Sequence, residues 1–139
     1  MTLKEIEKLS PVKIYYKQNP EYGTAYFSCM EPHEIYQERH IEIDADLCLA
    51  ERIVATLHEI GHAIHHVRNC KCFEDITDHT LAEYHAYRFT MKHIKNNNEL
   101  IKVFVANIDK AINSDGHEHK TAAKRIIKLK SYAKLVQEI

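Results

Sequence analysis

A chain of 139 residues that is 45% hydrophobic and 28% charged carries enough apolar side chains for one core without disulfide support, so a single domain spanning residues 1–139 is expected. The same composition excludes a disordered polyelectrolyte. A formal net charge of −1 gives no overall attraction to nucleic acid or an anionic membrane, and apart from a short lysine-rich C-terminal stretch the basic residues are interleaved with acids.

The first predicted element is a short helix at residues 3–9. Three strands follow. Residues 12–17 are β-branched and aromatic, residues 24–30 alternate Ala25, Phe27 and Cys29 against Thr24, Tyr26 and Ser28, and residues 39–43 alternate Ile41 and Ile43 against His40 and Glu42. Turn residues at 19–23 and 31–33 separate them, which predicts a small antiparallel sheet. From Asp44 onward the apolar period is helical. Asp44 or Asp46 can cap a long helix reaching about residue 67, a polar loop with Cys70, Cys72 and Asp75 leads to a second at 77–94, and two more are predicted at 99–113 and 121–138. On the last, Ile126, Leu129, Ala133 and Val136 form the expected packing seam. The fold class is therefore α+β, a three-stranded sheet packed on about four to five helices.

Cys29, Cys48, Cys70 and Cys72 do not have a zinc-knuckle spacing, since only Lys71 separates the last pair, and free thiols are expected. With no leader-like N-terminus and no apolar run of about 18 residues, the expected compartment is the cytoplasm. Three Gly and three Pro leave no long flexible linker.

The long helix contains His58-Glu59-Ile60-Gly61-His62. A helix turns about 100° per residue, so the two imidazoles lie one turn apart on one face, close enough to share an ion, with Glu59 on the same rim. Two neutral imidazoles bind Zn²⁺, while the intervening carboxylate, not itself a ligand, can take a proton from a water held there. Apolar positions Ile53, Val54, Leu57, Ile60 and Ile64 surround the motif at helical spacing, and Gly61 marks a point where a neighbour or substrate can come close.

A catalytic zinc needs a third protein ligand and one open position. The pattern with a third ligand at residue 68 fails, because Arg68 stands there. A carboxylate from the next helix is the alternative, and Glu83, one turn before Tyr87, fits an antiparallel helix pair that brings it back over the first helix. His79, one turn before Glu83, and His85 compete with it for the same role. His65 and His66, taken as lying off the line of His58 and His62, read as rim residues or supports of the ligands, and His117 and His119, in a glycine-containing loop, as solvent-exposed, with a loop His folding back to steady a transition-state oxyanion as the alternative. Tyr84 and Tyr87 are either core or donors to a transition-state oxyanion, and His85, where it is not a ligand, supports the site.

Thr56-Leu57-His58-Glu59-Ile60-Gly61-His62-Ala63-Ile64, followed by Glu83-Tyr84-His85-Ala86-Tyr87-Arg88-Phe89-Thr90, resembles the ImmA/IrrE family of bacterial and phage zinc metallopeptidases, whose pattern is HELGH and then a helix carrying E-x-E-A-N-x-F-A. The resemblance covers residues 24–91. It implies a zincin-like metallopeptidase domain with Zn²⁺ held by His58, His62 and Glu83 and with Glu59 as general base. The chain departs from the pattern at His85, where a second acid is usual, at Tyr87, where Asn is usual, and at Thr90, where Ala is frequent.

The function expected on this reading is zinc-dependent hydrolysis of a peptide bond in a regulatory protein, a helix-turn-helix repressor of a phage or mobile element. In similar folds an edge strand, here residues 39–43, pairs with the extended substrate through main-chain hydrogen bonds. Two other readings are a zinc hydrolase of a different amide bond and a non-catalytic zincin-fold interaction protein. Glu59 argues against the last, because a structural metal site has no use for a carboxylate beside it. No nucleic-acid or membrane partner is expected.

Overall fold

The computed structural model describes residues 1–18, 25–28, 39–69 and 79–139. The predicted turns at 19–23 and 31–33, the loop after the long helix, and Cys29, Cys70 and Cys72 lie outside the described residues. Cys48 is a free, exposed thiol.

Thr2 opens helix α1 (Leu3–Glu7) with a capping box, its hydroxyl accepting from the Glu5 amide while the Glu5 carboxylate accepts from the Thr2 amide. Strands β1 (Lys13–Lys17), β2 (Ala25–Ser28) and β3 (His40–Asp44) then form one sheet in the order β1-β3-β2. β1 runs parallel to β3, and β2 antiparallel to it. The sheet is thus mixed, not antiparallel, because side-chain alternation reports which face of a strand is buried and says nothing of which neighbour it takes or in which direction. β3 is the central strand. The edge role expected for residues 39–43 falls to β2, and among the described residues no strand pairs with its far side.

Ile41 and Ile43 are fully buried in the core, as their alternation predicts, but His40 and Glu42 on the other face are also buried. Glu42 Oε2 is held by the Tyr26 hydroxyl and by His40 at 3.0 Å, while Oε1 has no hydrogen-bond partner among the described residues and faces Lys17 Nζ at 3.5 Å.

Five helices follow: α2 (Leu49–Asn69), α3 (His79–His93), α4 (Asn98–Ile112), α5 (His117–Ile126) and α6 (Lys130–Gln137). Neither Asp44 nor Asp46 caps α2. The Asp44 carboxylate instead closes a turn by accepting from the Asp46 amide, and the Arg52 guanidinium donates to the Ala45 and Leu47 carbonyls, which fixes the link from β3 into the helix. Asn97 caps α4 with its side-chain oxygen on the Leu100 amide.

The single last helix expected at 121–138 is two. Nine residues at about 100° each put Leu135 roughly opposite Ile126 on a continuous helix, yet Ile126, Tyr132 and Leu135 are all buried while Val136 is exposed. The break around Leu129, whose backbone is extended, turns the second seam inward. α2 lies at the centre of the core, its Ile53, Val54, Leu57 and Ile60 packed among side chains of the sheet, α3 and α4. Among the described residues no helix is long and apolar enough to cross a membrane.

Candidate metal centre

α2 and α3 cross at Gly61. A Cβ placed there would lie 2.9 Å from the Ala86 Cα and 3.2 Å from the Phe89 Cβ, so the two helices meet backbone to backbone. This contact lowers α3 onto the face of α2 that carries His58 and His62, whose rings are 4.8 Å apart. Glu83, three residues before Ala86, is delivered between them. Its Oε2 lies 3.0 Å from His58 Nε2 and its Oε1 2.8 Å from His62 Nε2. The three residues offer ligand atoms that all fall within 4.8 Å of one another.

A third imidazole reaches the same carboxylate. His119, in the first turn of α5, places Nδ1 3.0 Å from Glu83 Oε2, and the Tyr87 hydroxyl lies 3.4 Å from that nitrogen. The loop expected around His117 is helix, and its packing on α3 brings His119 Nδ1 against Glu83 while His117 and His119 both stay exposed, as expected. Burial works to raise the Glu83 pKa, but hydrogen bonds from His119, His58 and His62 overcome it and hold the carboxyl well below its usual range. The Tyr87 hydroxyl is pushed up by burial and then by the negative charges of Glu83 and Glu59.

These groups line a cavity of about 750 Å³ whose wall includes Glu59, His58, His62 and Tyr87 together with Ala25 and Phe27 of β2. Glu59 is only 8% exposed. Two imidazole nitrogens and one carboxylate oxygen form the donor set of a borderline divalent transition ion, and the adjoining cavity leaves room for a water or substrate oxygen, so the residues present fit an ion such as Zn²⁺.

The competing ligands fall elsewhere. His79 borders the cavity but is exposed and outside the three-residue group. His85 points away, stacked on His65 at 4.9 Å, with its pKa lowered by burial and then by Arg88 and Arg125. Tyr84 likewise leaves the site, its ring lying under the Arg125 guanidinium at 4.2 Å. Thr90, the departure from the Ala of the family pattern, lines the cavity with its hydroxyl donated to the Ala86 carbonyl at 2.9 Å. His66 is buried against Phe27, borders the cavity, and has no hydrogen-bond partner at Nδ1. It therefore shares the cavity face of His58 and His62 after all, and its place one turn beyond His62 was the overlooked signal. Nothing comparable marks His119, which reaches Glu83 only through the packing of α5 on α3.

Comparison with models of protein families, with curated proteins and with solved structures finds no match.

Proposed function

We propose that this chain is a cytoplasmic zinc endopeptidase that cuts a regulatory protein, of the helix-turn-helix repressor class to which the ImmA/IrrE resemblance points. One observation carries the reading: Glu83 is seated between His58 and His62, at 3.0 and 2.8 Å, on the wall of a cavity that also holds Glu59.

When bound, zinc supplies the Lewis acidity that polarises a scissile carbonyl and makes water nucleophilic near neutral pH. The remaining work falls to side chains and backbone. Glu59 accepts the proton of the attacking water and returns it to the leaving amine nitrogen. β2 borders the cavity and is an edge strand, so an extended peptide adding to it would be led past the two histidines by main-chain hydrogen bonds. Such a groove selects an extended backbone more than a side-chain sequence. Tyr87 and His119 serve as the hydrogen-bond donors for the oxygen of the cleaved bond, since both reach the Glu83 side of the cavity.

The test is Glu59→Gln beside wild type, each co-expressed with the regulator encoded next to it. The variant should keep about one zinc per chain and the wild-type circular dichroism while losing fragment production by about a hundredfold or more. Equal cleavage by the two proteins sinks the general-base assignment, and vigorous casein cleavage with the regulator intact replaces the repressor reading with a general protease.

A further inference from the structure

The interleaving of basic and acidic residues fails in one stretch besides the C-terminal one. No Asp or Glu occurs at residues 84–98 or 119–137. The first stretch covers most of α3, which carries Glu83 and Tyr87, and the second begins in α5, which carries His119, and runs on through α6. On the outward side of α3 and α5 Arg88 and Arg125 reach one aromatic ring, their guanidinium carbons 5.7 and 4.2 Å from the Tyr84 centroid. Lys92 follows Arg88 by one turn of α3, and Lys128 lies one turn beyond Arg125, just past the end of α5. All four cations are exposed. Among the described residues no carboxylate pairs with any of them.

Two guanidiniums against one tyrosine repel each other without a counter-ion. Both guanidiniums lie near the face of one ring and are exposed, and a guanidinium in that setting takes a carboxylate in a two-point hydrogen bond. Resting on the peptidase reading, we propose that this face is an exosite for an acidic segment of the substrate protein. A carboxylate-rich stretch flanking the cleaved bond lies over Arg88, Lys92, Arg125 and Lys128 while the extended segment occupies the cavity. The patch lies outside the cavity, on the outward side of the same two helices, and the occupant is polypeptide because a protein with one segment in the cleft has further chain to lay over that side. The exosite supplies the selectivity that a backbone-reading groove lacks, by making the cleavable segment a tethered one.

Full-length Glu59→Gln protein, titrated with a fluorescent Glu-Ser repeat peptide, a Lys-Ser peptide of equal length and a short DNA duplex at low and high salt, tests this. The Glu-Ser peptide should bind, more weakly as salt rises, and the Lys-Ser peptide should not. Arg88→Glu with Arg125→Glu on the same background should weaken Glu-Ser binding by about tenfold or more, and Lys92→Glu with Lys128→Glu should move it the same way. Absence of Glu-Ser binding, or binding unchanged in both charge-reversed pairs, overturns the exosite. A duplex held more tightly than the Glu-Ser peptide, and released by the arginine pair, overturns it in favour of nucleic acid. The assay needs neither metal nor turnover. A wild type without hydrolytic activity therefore strikes the peptidase reading alone, whereas hydrolysis without peptide binding strikes the exosite alone.

Discussion

Glu42 sits buried on the central strand and has three partners: the Tyr26 hydroxyl, His40 and Lys17. Burial alone would raise its pKa, but these partners hold it below the ordinary value of 4.5. A carboxyl whose folded pKa is depressed leaves the unfolded chain binding more protons. Its stabilisation is therefore complete above the ordinary value and is lost as pH falls through the folded one. The unfolding free energy of wild type should decline with acid below about pH 4.5 more steeply than that of Glu42→Gln, which at neutral pH should be less stable by about 1–3 kcal/mol. Urea titrations across that range decide it, and parallel pH profiles would remove Glu42 from the account. Alternation identified Ile41 and Ile43 as inward and left His40 and Glu42 facing water, because periodicity cannot register a strand covered on both faces. The metal-facing residues were easier to read. His58, Glu59 and His62 are set by helical phase within five residues, whereas His119 depends on a packing contact that no local pattern encodes.

Among the helices, α2 and α3 are positioned by Gly61, where a methyl group would press on the Ala86 backbone. Gly61→Ala should lower stability by about 1–3 kcal/mol through overpacking, and by moving α3 away from α2 it should weaken metal binding although Gly61 is not a ligand. Thermal melts with and without added zinc separate the two effects, and unchanged affinity would show that Glu83 reaches its place without that contact. The existence of α1 to α4 was legible in the sequence from apolar period, although the caps expected for α2 are not used. Strand pairing was not, because the order β1-β3-β2 is decided by long-range closure rather than by any strand's own pattern. The split of the last helix was hidden for a related reason: Ile126, Leu129, Ala133 and Val136 fit one seam at helical spacing, and only the competing burial of Tyr132 and Leu135 breaks it.

At the scale of the whole molecule, side chains from α2, α3 and α5, far apart in sequence, converge on one carboxylate. An ion held by His58, His62 and Glu83 would tie α2 to α3 and bind the folded chain only, so it would stabilise by mass action. Chelation should lower the melting temperature by about 10 °C, reversed by added zinc. Glu59→Gln should show the same shift, because Glu59 is not a ligand, while Glu83→Ala should show little. A melting temperature indifferent to chelator in wild type would mean that the cluster holds no metal tightly.

Two of the imidazoles against Glu83, those of His62 and His119, also hold their protons more tightly for lying there. Burial disfavours charge on His62, but its hydrogen bond to Glu83 and the charges of Glu59 and Glu83 outweigh that and raise its pKa above 6.5, and the hydrogen bond to Glu83 raises His119 as well. Near neutral pH a share of these rings is therefore protonated, and taking up a metal becomes an exchange, one ion in for protons out. The heat measured by calorimetry on adding zinc should then depend on the ionisation enthalpy of the buffer. The slope of that dependence counts the protons released and should shrink as pH rises past the raised imidazole values. The chain would thus sense acidity through its metal occupancy, since every step toward lower pH makes the exchange harder to complete.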